Sequence, residues 1–210
     1  TTTFTYDAAG NLASRSDSDT GTTTYTYDAF SRRTNTVHPD STTMRMAWDA
    51  NDRLTSTTDE RGNTTAFAYD ANDNLRTVTD ALGRVSGLAY DARDRVIRST
   101  NRLGQVSARG FGPLDQLIAV TNRNGNVTTF TYDARRRQTA VTDPGGRTWS
   151  MGYDSEDIPI ALTNPLNQTS RTGTDRLGYP VTATNALGHV TRVDAQGVEK
   201  GLFPVIKAES

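Results

Sequence analysis

The residues of this chain that could do chemistry are its carboxylates, two histidines and a row of arginines. Aspartates stand at Asp7, Asp28, Asp49, Asp70, Asp91, Asp133, Asp154 and Asp175, on a 21-residue spacing that only Gly112 interrupts. Regularly spaced carboxylates could ligate Ca²⁺, but such a site gathers about 6–8 oxygen ligands in one place, and no loop here is that dense. His38 and His189 lie in or beside turn-like segments. A serine–histidine–aspartate triad can be drawn on paper, yet no strand-to-helix nucleophile elbow is present to hold it. The arginines are more regular: Arg32, Arg53, Arg95 and Arg137 share one register, while Lys200 and Lys207 are the only lysines. A row of guanidinium groups could grip acidic glycans or a partner protein. The alternative is a solvated face in which they stack on aromatic rings and pair with turn aspartates. That second reading is favoured, so no catalytic, metal or cofactor site is expected.

What positions these residues is a repeat. Each aspartate or glycine of the series follows an aromatic residue at Tyr6, Tyr27, Trp48, Tyr69, Tyr90, Phe111, Tyr132 and Tyr153, and the next place, Thr174, breaks it. A fixed period of 21 residues means an array of identical supersecondary units. In the unit 63–83, Thr65, Phe67 and Tyr69 alternate with Thr64, Ala66 and Ala68. Period two is the signature of a strand, whose side chains point alternately to opposite faces. By the same parity Phe4, Tyr25, Phe130 and Trp149 join the repeat aromatics on one face, and the other face is small. The second half of each unit carries β-branched or apolar residues at spacing two, such as Ile97, Ile118 and Ile160 ahead of Val120, Val141 and Leu162, which suits a second strand.

Two turns per unit connect the strands, and both follow the type I preference for Asp or Asn first, Pro second and Gly fourth. One begins at Asp17, His38, Asp59, Asp80, Asn101, Asn122, Asp143, Asn164 or Asn185, with Pro39, Pro144 and Pro165 in second place and Gly62, Gly83, Gly104, Gly125, Gly146 and Gly188 in fourth place. The other begins at the aspartate after the aromatic, as in Asp7-Ala8-Ala9-Gly10 and Asp175-Arg176-Leu177-Gly178. The expected fold is therefore all-β: tandem 21-residue antiparallel hairpins whose neighbours support one another. Because sheets twist with a fixed hand, so many strands should curl into a spiral, shell-like wall.

Bulk properties agree. Hydrophobic residues make up 34% and the net charge is -1, which argues for a thin patterned sheet, against disorder, and against simple electrostatic binding of nucleic acid. There is no cysteine, hence no disulfide or thiol chemistry. No apolar run reaches the ~20 residues of a membrane span. The first residues, Thr1 to Tyr6, do not read as a signal peptide, and a start in mid-repeat without methionine reads as part of a longer protein.

The motif Tyr-Asp-Ala-x-x-Arg/Asn-Leu, clean at Tyr69 to Leu75 and Tyr6 to Leu12 and close at Tyr90 to Val96, resembles the YD repeat of the Rhs family. That family includes bacterial polymorphic toxins, the C component of insecticidal toxin complexes, wall-associated proteins and teneurins. The resemblance covers about residues 1–195. It implies a secreted or cell-surface hollow shell built with the remaining repeats of a parent protein, which in the toxins encloses a C-terminal toxic domain. A non-enzymatic structural segment is thus the leading expectation, and a surface adhesion module binding carbohydrate or a partner protein is the alternative. The pattern degenerates after about residue 154, with Pro159 and Pro180 in the second strand and Asp194 two residues early, and residues 196–210 read as a non-repeat tail. Asp143-Pro144-Gly145-Gly146 resembles the self-cleavage motif that ends the shell in toxin members, but it occupies an ordinary turn register and is read as a turn.

Overall fold

A computed structural model describes residues 1–175, 179–193 and 199–203. All regular structure among them is β: twenty strands, β1 to β20, and no helix. The chain divides into two compact units, Thr1–Val106 and Ser107–Ser210.

The first unit is a meander. Its odd strands are β1 (Thr2–Tyr6), β3 (Gly21–Tyr27), β5 (Thr43–Trp48), β7 (Thr64–Tyr69) and β9 (Val85–Tyr90). Its even strands are β2 (Leu12–Asp17), β4 (Arg33–Val37), β6 (Leu54–Thr58), β8 (Leu75–Thr79) and β10 (Val96–Thr100). Each pairs antiparallel with its neighbours in sequence, β1 with β2 through to β9 with β10. The second unit repeats the plan with β11 (Val106–Phe111), β13 (Val127–Tyr132), β15 (Thr148–Tyr153), β17 (Thr169–Thr174) and β19 (Val190–Val193). Between them lie β12 (Leu117–Thr121), β14 (Gln138–Thr142), β16 (Pro159–Thr163), β18 (Pro180–Thr184) and β20 (Glu199–Phe203). These strands also pair antiparallel in sequence order. In neither unit does the order return to its first strand, so the strands do not close into a barrel.

The repeat aromatic, Tyr90 included, sits at a bulge in each hairpin that carries it, and Thr174 takes the same place between β17 and β18. Ala68 pairs with Thr77 but Tyr69 pairs with Leu75, so one residue of the partner strand is passed over, and the same slip recurs at Tyr6, Tyr27, Trp48, Phe111, Tyr132 and Tyr153. Such a slip re-aims the side chain beside it.

Strand faces follow the expected parity: in β7, Thr65, Phe67 and Tyr69 are partly covered while Thr64, Ala66 and Ala68 are exposed. The covering is modest. Among the described residues no apolar side chain is buried, and Thr36 at 5% is the one buried polar residue. A sheet one layer thick has two wet faces, so its stability must come from the edges and ladders as much as from apolar contact.

With the exception of the turn between Asp17 and Gly21, both turns of each unit share one geometry. In the turn after Tyr69, the Asp73 N–H donates to the Asp70 carbonyl and the Asp70 N–H to the Asn74 carbonyl. In the turn after Thr79, Gly83 and Asp80 make the same pair of bonds with Asp80 and Arg84. The fourth residue of these turns has positive φ, as at Gly62, Gly83, Gly104, Gly125, Gly146 and Gly188, whereas in the turn from Asp17 the positive φ falls one residue later, at Gly21, which pairs with Asp17. One expectation is corrected here. After the repeat aromatic, glycine holds that place only at Gly10 among the described turns; Ser31, Asp52, Asp73, Asp94, Asp115, Arg136 and Asp157 adopt left-handed φ of 58 to 70° instead. Aspartate tolerates this conformation better than most residues, and the turn bonds hold it there. The exception at Gly112 costs the turn nothing in backbone pairing, since Gly112 and Asp115 make the same two bonds. The turn expected at Asp175-Arg176-Leu177-Gly178 and the early Asp194 fall on or beside residues outside those described. The same holds for the boundary near residue 195 and most of the 196–210 tail. Strand β20, beyond that boundary, pairs with β19.

Candidate functional site

The feature built most consistently from the repeat is one edge of each unit, where the turns that follow Tyr6, Tyr27, Trp48, Tyr69, Tyr90, Phe111, Tyr132 and Tyr153 stand side by side. Each turn aspartate accepts two backbone N–H groups through one carboxylate oxygen. For Asp28 these come from Phe30 and Arg32, for Asp49 from Asn51 and Arg53, and for Asp70 from Asn72 and Asn74, at 2.9 to 3.0 Å. Asp7, Asp91, Asp133 and Asp154 do the same within their own turns. The second oxygen turns to the residue four positions on. Arg32, Arg53, Arg95 and Arg137 each donate Nε to it at 2.7 to 2.8 Å.

The guanidinium then crosses to the next repeat. Arg53 Nη1 donates to the Asp70 carbonyl at 3.1 Å and to the Asp73 carboxylate at 2.7 Å. Arg32 makes the corresponding pair with Asp49 and Asp52, and Arg137 with Asp154 and Asp157. Asn74, where the arginine is absent, still reaches Asp94 at 2.7 Å. The aromatic side chains cross the same junctions in the other direction. Tyr27, Tyr69, Tyr90, Tyr132 and Tyr153 donate their hydroxyls to the carbonyls of Leu12, Leu54, Leu75, Leu117 and Gln138, each 15 residues earlier. Trp48 uses its indole N–H on Arg33 in the same way. The rings lie under the crossing arginines: Arg53 is 4.9 Å from the centroid of Tyr69 and Arg137 4.7 Å from that of Tyr153.

These partners set the acidities. The side-chain bond from Arg95, helped by backbone N–H groups, holds Asp91 down to about 2, and Arg32 lowers Asp28 in the same way. For Asp49, Asp70 and Asp133, partial removal from water pushes upward, but the backbone and side-chain donors outweigh it and the net direction is down. The backbone N–H of Asn11 is the largest cause at Asp7. All these carboxylates are fixed anions whose lone pairs are already taken up by the fold.

That decides among the candidate chemistries. The arginine row is the stacked and paired face: only 17 to 26% of the side chains of Arg32, Arg53, Arg95 and Arg137 is exposed. No free guanidinium row is left in this register for an acidic glycan. Among the described residues no cluster of three or more acids and histidines could hold a metal ion. His38 is half-buried rather than exposed, with Nε2 3.2 Å from Glu60 in a shallow hollow with Thr20, Asp40 and Arg61. His189 is exposed, its ring Nδ1 3.3 Å from the side chain of its turn residue Asn185. Asp143-Pro144-Gly145-Gly146 forms the regular turn, with Asp143 accepting from Gly145 and Arg147. No helix among the described residues is long and apolar enough to cross a membrane.

Among the described residues the opposite edge shows fewer such crossings. Its turns are closed internally, Asp80 by Arg84 and Asn101 by Gln105, and few side chains cross between them, Arg102 to Asp80 at 3.6 Å being one. What the sequence reading missed is the other half of each crossing. The tyrosine acceptors are backbone carbonyls, which carry no side-chain signal. The recurrence of Asp52, Asp73, Asp94 and Asp157 at one register was a legible sign of the arginine acceptors.

Hairpins of constant length, bulged at an aromatic and pinned to the next hairpin along one edge, define a tandem-repeat β protein. This chain belongs to the RHS repeat family, whose sequence model matches residues 6–43, 48–85, 69–106, 113–148 and 137–169. No curated protein sequence matches it. Among solved structures, the TcdB2-TccC3 complex is similar over 88% of this chain and 14% of its own, with 15% identity and a TM-score of 0.43 or 0.44 in two crystal structures. A Tc holotoxin pore of Photorhabdus luminescens is similar over 99% and 14%, with 12% identity and a TM-score of 0.40. A porin-like protein of Bacteroides uniformis is similar over 85% and 86%, with 15% identity and a TM-score of 0.30. The chain thus spans about a seventh of the toxin structures it resembles.

Proposed function

We propose that this chain is a non-enzymatic length of wall in an Rhs-type β-shell, secreted or at the cell surface, which encloses or presents another polypeptide such as a toxin domain. The observation that carries this reading is the pinned edge. Aspartate, arginine and tyrosine, the residues with most chemical capacity, are spent on joining one hairpin to the next, as a load-bearing partition requires and an active centre does not. We take the repeat array to run over residues 1–195 and the aromatic, aspartate and glycine positions of the repeat to be structural throughout.

The test is on the parent protein. Negative-stain imaging should show a hollow body, and limited proteolysis should spare an enclosed segment until the wall is opened by denaturant. A solid particle, or a partner segment digested at the same rate with the wall intact, overturns the reading.

A further inference from the structure

Among the described residues, the junction between β16 and β17 lacks both of its crossing side chains, and a recess lies there. Advancing the pair Tyr153 and Gln138 by one repeat gives Thr174 and Pro159. Thr174 is too short to span the strand as a tyrosine does, and no side-chain donor among the described residues reaches the Pro159 carbonyl. The arginine place is held by Ile158, which carries no donor to send across. Two residues before Thr174, where other repeats carry Phe67, Phe130 or Met151, stands Thr172. The result is a recess of about 520 Å³ within the second unit, lined by Met151, Pro159, Ile160, Leu162, Thr172 and Ala183 among others.

The rest of the molecule specifies what fits this place. At five other junctions the equivalent space is filled by a tyrosine ring lying back over the preceding strand, with its hydroxyl 2.7 to 3.0 Å from the equivalent carbonyl. Here the acceptor and the apolar floor remain while the ring is missing. We propose that the recess binds the side chain of a tyrosine presented by another polypeptide segment, its hydroxyl donating to the Pro159 carbonyl and its ring resting on Ile160 beside Met151. The inference uses only the internal comparison of repeats and does not depend on the chain's role as a wall.

The probe is N-acetyl-tyrosinamide, titrated against the 210-residue chain while the methyl resonances of Met151, Ile160 and Leu162 are followed by NMR. Those methyls should shift, and N-acetyl-phenylalaninamide should bind about fivefold more weakly, the loss expected for one neutral hydrogen bond. Thr174→Tyr should fill the recess from within, abolish the shifts and raise Tm. Thr172→Phe provides a second occluding variant. Equal binding of the two amides means an unspecific apolar hollow and overturns the proposal. So do shifts that survive both substitutions, no shift at these methyls, or a folded Thr174→Tyr that melts lower than its parent.

Discussion

The hydroxyl of Tyr69 donates to the carbonyl of Leu54 at 2.9 Å, across the junction between two hairpins. Arg53, the residue before Leu54, passes over the Tyr69 ring and bonds the Asp70 carbonyl and the Asp73 carboxylate on the far side. Each junction of this kind is therefore held by two side chains reaching in opposite directions, one from each hairpin.

Removing one of them should weaken the sheet by a calculable amount. Tyr69→Phe keeps the ring and loses the hydroxyl bond, and should cost about 1 kcal/mol in urea unfolding. Tyr6→Phe is its control. Tyr6 is 65% exposed and has no such acceptor, so its midpoint should stay unchanged.

The arginine depends on its fork. Arg53→Lys retains charge but cannot hold Asp49, Asp70 and Asp73 together, because an ammonium lacks the planar set of donors. Tm should fall, whereas Arg61→Lys, at an exposed turn position with no crossing bond, should leave it in place. Equal melting of the two variants would remove the arginine from the junction.

Acid should act through the turn aspartates. The pKa values of Asp7, Asp28, Asp49, Asp70 and Asp133 in the fold lie below the ordinary 3.8, and Asp91 is held at about 2. A carboxylate depressed by folding contributes stability that is complete above its unfolded pKa and is lost as pH falls through the folded value. Circular-dichroism melts should be flat above pH about 5 and fall steadily from about 4 toward 2. A melting temperature that rises over that interval would contradict the bonding described for these turns.

The left-handed turn positions respond in opposite directions. Gly83 has φ +75 with open space around it, so Gly83→Val fails on backbone strain alone, at about 1–2 kcal/mol. Arg84→Val, at a position without positive φ, should cost less than this. Arg136 holds φ 66 without glycine's freedom, and Arg136→Gly should stabilise by about 0.5–1 kcal/mol. Unfolding midpoints read all three.

Much of this was visible in the bare sequence because period, parity and turn chemistry each leave marks on side chains. The strands at Thr64–Tyr69 and Leu75–Thr79 end where Asp70 and Asp80 announce a turn. The pairing of Arg53 with Asp49 follows from their four-residue separation across such a turn. The bulge beside Tyr69 and the Leu54 carbonyl it exposes were invisible, since a slipped register and a backbone acceptor have no residue type of their own. The left-handed Asp73 was obscured because the expected mark there was glycine, and a carboxylate held by Arg53 serves equally well.

The crossing bonds along the pinned edge recur at fixed offsets: 15 back for the tyrosines, 17 and 20 forward for Arg32, Arg53 and Arg137, and 22 forward for Asn72 and Arg135. An insertion or deletion of whole units therefore leaves each bond with an equivalent mate, while a change of any other length breaks the bonds that span it. Such a molecule can be lengthened or shortened by gene duplication and loss without redesign.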